Sequence, residues 1–392
     1  MPSKSRPLPV TEEQALWFRA QRGHLAGKGA KDEGEVVRAV LGIQAQQLAP
    51  ALWAVAMRCQ SRPTAEEVAA SILEEPRSLV RTWGQRHTLH LYEPAEDWPT
   101  FLAAQGRWAG GGRRGDLAPQ AELDQARKRM QTLGRPATRK DLFAVLTKRH
   151  LREWEDKASS KEEARRFAAG RLFWGLARHG ELSVGHKVGA EQAYVLRADW
   201  FPKLRWRKPS AAKAAMDLAR RYLALHGPAT VKDLAHYYGA HVKDARAWLD
   251  DLEKNDLLVS VSCGQREGLV ALAEDARELR RKPPTRATEW PVRLVPNYDT
   301  LLMGHADKSW TVPTEDECSS VWRRAAYVSA VVLARGRVVA MWTHMKKARK
   351  LRVVIEPLSG WRSTKHAKGV EREAQGLARH FQLEEAEVTI GS

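Results

Sequence analysis

The pattern Gly-(x)-Pro-Ala-Thr-x-x-Asp-Leu occurs twice, as "LGRPATRKDL" from Leu133 and as "HGPATVKDL" from His226, and this internal repeat limits the fold more than any other feature. In each copy a threonine stands three residues ahead of an aspartate, Thr138 before Asp141 and Thr230 before Asp233. That is the spacing at which an N-cap hydroxyl and an N3 carboxylate close the first turn of a helix. Two helices therefore begin the same way. Around the second copy, "AAMDLARRYLALHG", "TVKDLAHYYGA" and "HVKDARAWLDDLEKN" read as three helices, and "DLLVSVSCGQREGLVAL" as two strands about a glycine-containing turn. Helix, helix, helix, hairpin is the order of a winged helix. The first copy reads likewise, from "LDQARKRMQTLG" through "TRKDLFAVLTKRHL" and a charged insertion near 153–166, to "RFAAGRLFWGLARHGELSVGHK", with wing strands at Leu182–Val184 and Tyr194–Leu196.

The same template fits the start of the chain. "TEEQALWFRAQRG", "DEGEVVRAVLGI" and "PALWAVAMRCQSR" serve as three helices, and "SLVRTWGQRHTLHLYE" supplies a strand pair with alternation over Thr88–Tyr92. The last hundred residues are β-rich instead, with Arg335-Gly336-Arg337 as a hairpin turn between apolar strands and "EREAQGLARHF" as a closing helix. The expected fold class is α+β, mainly α: winged helices at 1–120, 121–205 and 206–285, then a C-terminal antiparallel, barrel-like β domain at 286–392.

Charge says what such a fold would meet. Lys+Arg number 65 against 47 Asp+Glu, a net charge of +18 and a pI near 10.0, the footprint of a protein that binds nucleic acid. Three widely spaced cysteines, Cys59, Cys263 and Cys318, outline neither a disulfide framework nor a zinc knuckle. The N-terminus has no apolar h-region and no window approaches about 18 uninterrupted apolar residues. A cytoplasmic, nucleoid-associated chain in a reducing compartment is expected.

One stretch conflicts with its own periodicity: "LGIQAQQLAP", Leu41 to Pro50, sets three glutamines inside an apolar pattern. Pro50 biases Ala49 away from the helical region and suits the first turn of the next helix, so the stretch falls at the turn between the second and third helices. In a regular helix Gln44 and Gln46 would point about 200° apart, whereas at a helix end their side chains can converge. For an arbitrary Gln-x-Gln, helix caps are the plain explanation.

The blocks "LGIQAQQLAPALWAVAMR", "LVRTWGQRHTLHLY", "LVPNYDTLLMGHADKSW" and "RGRVVAMW" resemble, in this order and over nearly the whole chain, those of the bacterial winged-helix DNA glycosylases, the azinomycin-resistance and crosslink-unhooking enzymes. The resemblance implies three tandem winged helices and a β domain around duplex DNA, with neither metal nor cofactor; three linked modules can embrace a duplex without dimer symmetry, so a monomer is expected. It implies hydrolysis of the N-glycosidic bond of N7-alkylated purines, including bulky adducts and, in some members, interstrand crosslinks. Carried onto this sequence, it makes Gln44 and Gln46 the catalytic pair. His87 stands where the resemblance leads one to expect a small residue, usually glycine. An N7-alkylated guanine already leaves as a neutral base, so the enzyme needs only to hold a water opposite the departing base and to stabilise an oxocarbenium-like transition state. An amide carbonyl can do both weakly, its NH2 being anchored elsewhere.

Arg58, Arg81, Arg86 and His87 near the first wing, with Arg139, Lys140, Lys232 and Lys243 on the corresponding helices, are candidate phosphate contacts. Trp83 is a candidate for base stacking, and Asp299 with His305 for acid/base work. "GGGRRG" at Gly110–Gly115 formally matches a dinucleotide fingerprint but lies between no strand and helix, and reads as a basic loop. His87 and His90 share a strand face without a third ligand, which makes a metal site a poor reading. The rival function is a non-catalytic DNA-binding regulator, which would dimerise on palindromes; RNA binding is a third.

Overall fold

In the computed structural model, residues 6–105, 118–324 and 326–391 are described; the Gly110–Gly115 loop lies outside them. Helices form where their caps predict them. Thr11 and Gln14 close the helix Glu12–Arg22 with a reciprocal capping box, and Thr64 and Glu67 do the same for Ala65–Leu73, a helix not anticipated from periodicity. Thr230 and Asp233 cap Val231–Tyr238 in the same way. In the other copy of the repeat the Thr138–Asp141 pair forms, but it opens only the short 3-10 turn Lys140–Val145, followed by the helix Lys148–Glu155. The continuous helix expected from "TRKDLFAVLTKRHL" is thus broken at Leu146, which is extended.

The hairpins are where alternation put them. Val80–Trp83 pairs antiparallel with Leu89–Tyr92, Leu182–Val184 with Tyr194–Leu196, and Leu258–Cys263 with Arg266–Leu272. Two short strands join them from elsewhere in the chain: Ile43–Gln44 lies antiparallel to Leu89–Tyr92, and Leu8–Pro9 lies parallel to Leu258–Cys263.

The C-terminal region departs from the expected antiparallel barrel. Five of its strands form an open sheet in the order Glu385–Ile390, Lys350–Pro357, Arg337–Lys347, Val331–Ala334, Arg293–Val295, and Trp322–Arg323 pairs separately with Tyr327–Val328. The sheet's outermost pair is parallel, because the helix Ser363–His380 spans the 18 residues needed to cross back over the sheet before the last strand. The turn at Arg335-Gly336 has φ of 49° and 76°, the two left-handed residues of a tight hairpin. The strand that follows is largely buried as far as Trp342 and exposed from Thr343 to Lys347, so the hairpin end Thr343–Lys350 is an exposed basic finger, whereas Leu351, Val353 and Ile355 of the next strand are buried.

Two large cores and a smaller one hold the molecule, the smaller joining Val10 and Phe18 to Val261, Leu269 and Trp310. One large core runs without a break from Leu16 through residues 214–252 to Ala378, and a second, from Ala118 to Leu196, includes Leu89 of the first hairpin. The first of these is pinned by buried polar groups with long reach. Trp53 Nε1 donates to Leu294 O at 2.7 Å and Trp342 Nε1 to Val295 O at 2.9 Å. Arg58 and Asp299, whose side chains are both fully buried, form two hydrogen bonds of 2.8 Å, and Arg58 also donates to Gly23 O and Ala54 O. Removing one member leaves the other charge buried without compensation, which costs about 3–5 kcal/mol. Asp299→Asn is therefore expected to lower the unfolding free energy by that amount, read as a lower denaturant midpoint, and Arg58→Met with Asp299→Leu to recover part of it. A midpoint unchanged in Asp299→Asn contradicts the pairing.

Candidate active site

Gln44 and Gln46 sit in an extended segment that adds to the first hairpin: Gln44 pairs with His90, and Ala45 N–H donates to Leu89 O at 2.6 Å. Two residues apart on an extended chain, their side chains leave on the same side. The sequence demanded this path through two glycines. Gly42 has φ of 89°, and a Cβ there would lie 2.4 Å from the Tyr92 ring; at Gly84 it would lie 2.2 Å from the Tyr92 hydroxyl. Tyr92 is wedged between them, accepting from Gln85 N–H and donating to Gln85 Oε1 at 2.8 Å, while Gln85 Nε2 reaches Leu41 O. The turn that delivers the glutamines is thereby locked to the hairpin.

Both amides are anchored through oxygen, where anchorage through the NH2 group was expected. Gln46 Oε1 accepts from Leu89 N–H at 3.2 Å and Gln44 Oε1 from Arg86 Nη2 at 3.4 Å. A carbonyl oxygen has two lone pairs, so one on each remains for a water or a developing cation. Gln46 is exposed and Gln44 half-buried.

Several candidate contacts are employed inside the protein instead. Arg58 and Asp299 are the buried pair just described, so neither reaches phosphate or a reacting atom; Asp299 also caps the short helix Thr300–Met303. Arg81, 7% exposed, donates through Nε to Ala45 O at 3.0 Å and through Nη2 to Gln46 O at 3.4 Å, and through Nη1 to Gln192 Oε1 at 3.0 Å. It is a clamp on the glutamine segment. Arg86 turns inward to Tyr237 O and Gln44. His305 is buried against His226 O, and burial with the neighbouring Arg19 charge pulls its pKa well down, so it is a neutral packed ring and not an acid or base. Trp83 stacks on Tyr194 with centroids 5.4 Å apart, which occupies one face of the indole.

The rest are at the surface. His87 is exposed at the hairpin tip with φ of 59°, the left-handed region that favours glycine, and its ring centroid lies 5.7 Å from that of Trp174. Lys140, Lys232 and Lys243 are exposed, Lys140 within 4 Å of Glu162 and Glu191. Sequence reasoning passed over the finger end Lys346–Lys350, although a run of four cations across a hairpin turn is a legible signal. It also passed over Lys308, whose Nζ lies 2.6 Å from His305 O and 3.3 Å from His236 Nε2; burial, with Arg86 nearby, brings its pKa down to about 8. Among the described residues no group of three or more His, Cys, Asp or Glu could hold a metal ion, and no helix is long and apolar enough to cross a membrane.

Comparison with known proteins gives one consistent result. The model of the family "DNA glycosylase AlkZ-like" matches residues 37–380. An "Interstrand DNA cross-link repair glycosylase" of Streptomyces sahachiroi is 28% identical over 375 residues, covering 93% of this chain and 95% of that one. The solved structure of the Streptomyces sahachiroi DNA glycosylase AlkZ superposes with a TM-score of 0.79 at 27% identity, over 98% of this chain and all of the other.

His90 makes the site's fold sensitive to acid. Burial first, and the Arg86 charge second, depress its pKa to about 3. The unfolded chain takes up a proton at this ring near pH 6.5 and the folded one does not, so stability is present above 6.5 and is lost as the pH falls below it. His90 alone accounts for about 2 kcal/mol between pH 6.5 and 5. Urea midpoints should therefore drop from pH 7 to pH 5, less so in His90→Gln; equal midpoints in the wild type contradict a neutral buried ring.

Proposed function

Because this chain belongs to the AlkZ-like DNA glycosylases, we propose that it is a monofunctional enzyme hydrolysing the N-glycosidic bond of N7-alkylated purines in duplex DNA, bulky adducts and interstrand crosslinks among them, in repair or self-protection from a genotoxin. The observation that carries this reading is the pair of amide oxygens: two carbonyl dipoles leave one extended segment on one side, each held by a single donor. They suit a reaction whose leaving group is already cationic. No general acid has to protonate such a base, and what remains is to place a water on the far face of the sugar and to stabilise the oxocarbenium-like transition state. Gln44 and Gln46 would share those tasks, and a weak catalyst of this kind spares ordinary purines.

The name of the relative from Streptomyces sahachiroi, which refers to crosslink repair, supports the substrate class. The surface supports DNA as the partner. His87, Lys140, Lys232, Lys243 and the finger residues Lys346 and Lys347 are exposed cations or titratable groups, of the kind that contact phosphates without reading sequence. Helices followed by a two-stranded hairpin recur within 1–120, 121–205 and 206–285, which supports three winged-helix modules ahead of the β region at 286–392. Three linked modules embrace a duplex without dimer symmetry, so the enzyme would act as a monomer, in the cytoplasm with the nucleoid. The family match disfavours the regulator alternative.

Purified protein given duplex DNA with N7-methylguanine is expected to release the free base. Gln44→Ala and Gln46→Ala should each slow single-turnover release by about 10²–10³ while binding the duplex normally. Undiminished release in both variants would remove the glutamines from the mechanism; absence of release by folded, DNA-binding wild type on this lesion and on a bulkier N7 adduct would remove the substrate class.

A further inference from the structure

Beside Gln46 the surface opens into a pocket of about 420 Å³ that nothing in the mechanism above uses. It lies across the junction of the two large cores. Gln46 and Arg81 come from the catalytic segment and first hairpin; Arg139, Arg166, Gln192 and Tyr194 come from the unit with the second core.

The sequence of that unit builds the cationic wall. On the helix Lys161–Arg178, Glu162, Arg166 and Gly170 follow at four-residue intervals and so share one face. Arg139 lies across the bare Gly170, its Nε, Cζ and Nη2 within 3.7–4.0 Å of where a Cβ would be, and it hydrogen-bonds the Tyr194 side chain. Lys140 and Arg166 share the carboxylates of Glu162 and Glu191 at 3.3–3.8 Å. Three cations, Arg81, Arg139 and Arg166, line the concave site against the single carboxylate of Glu191, and Arg81 and Arg139 are in no ion pair among the described residues. Such a site has an uncompensated affinity for an anion, and a planar guanidinium matches the geometry of a phosphate oxygen pair.

We propose that this pocket binds a phosphodiester of the lesion-bearing strand next to the nucleotide whose base is released, with Arg139 as the principal donor; this rests on the reading of Gln46 as a catalytic residue. Phosphate contacts fix register without reading bases. A phosphate held here would set the attached sugar against the Gln46 amide. The same pocket contains the Arg81–Gln192 bond, and Arg81 grips the carbonyls of Ala45 and Gln46. Occupancy of the second unit's wall and alignment of the catalytic segment are therefore one geometry.

The test neutralises one phosphate at a time. A set of duplexes carries N7-methylguanine and a single uncharged methylphosphonate at successive positions around it, and binding is measured for wild type, Arg139→Ala and Arg139→Lys. Arg139 is exposed, so its replacement leaves the fold intact. One position is expected to weaken wild-type binding by about tenfold, the worth of a charged hydrogen bond. On unmodified duplex Arg139→Ala should lose a similar factor and about one unit of salt slope; at that one position it should lose nothing more, and Arg139→Lys should recover part of the loss. Losses that add at every position, or an Arg139→Ala protein that binds like the wild type, overturn the proposal. Base release is scored separately: release with additive losses removes the pocket alone, and a non-additive position without release removes the glycosylase reading alone.

Discussion

The Arg58–Asp299 pair is the constraint on which the arrangement of the candidate active site depends. Its members are separated by most of the chain and by any one unit of secondary structure, yet the guanidinium touches the end of the first helix at Gly23, the helix after the glutamines at Ala54, and the loop that enters the C-terminal region at Asp299. A buried ion pair is a poor source of net stability but a strong specifier of geometry, because alternative packings strand a charge. The tryptophan bonds from Trp53 and Trp342 to Leu294 O and Val295 O lie on the same seam. Tyr237 O–H to Val40 O closes it on the other side of the glutamines. The segment from Val40 to Ala54 is therefore held at both ends by residues remote in sequence, and its exposed residues, Gln46, Gln47 and Ala49, lie in its middle.

This explains why amides stand in an apolar pattern. The apolar neighbours Leu41, Ile43 and Ala45 are buried because the segment is a strand edge, period two, and not a helix, period 3.6. Alternation sends Gln44 and Gln46 the other way. The glutamines break a helical pattern that the chain never adopts there. Arg81, on the hairpin strand Val80–Trp83, completes the arrangement by holding the carbonyls of Ala45 and Gln46.

Local signals were legible and long-range ones were not. Capping pairs, hairpins and the boundaries of the wing strands could be read because each is decided by residues within a few positions of one another. The glutamine segment could be located at the turn between the second and third helices, but its pairing with the Leu89–Tyr92 strand was not anticipated. What escaped was anything set by a distant partner. A cation that is buried and one that is exposed look alike in a sequence; Arg58 and Arg81 differ from Lys232 and Lys243 through Asp299, Gln192 and four backbone carbonyls. The same holds for the last strand, whose parallel direction follows from a helical crossover, and for Leu8–Pro9, two residues with no strand pattern of their own. His87 was the informative anomaly: a side chain where glycine was expected, on a backbone that is left-handed.

The pairing of Leu8–Pro9 with Val261 and Ser262, and the burial of Arg19 against the carbonyls of His226, Gly227 and Pro228, have a consequence for how the chain is made. At a synthesis rate of about 5–20 residues per second the first strand waits roughly 10–50 s for its neighbour to leave the ribosome. The unit around the second core, Ala118 to Leu196, closes on contacts within its own length plus Leu89, which has already emerged. The unit around the second core can thus be finished while Leu8–Pro9 and Arg19 are still unpartnered, and these residues are among the last to find their place.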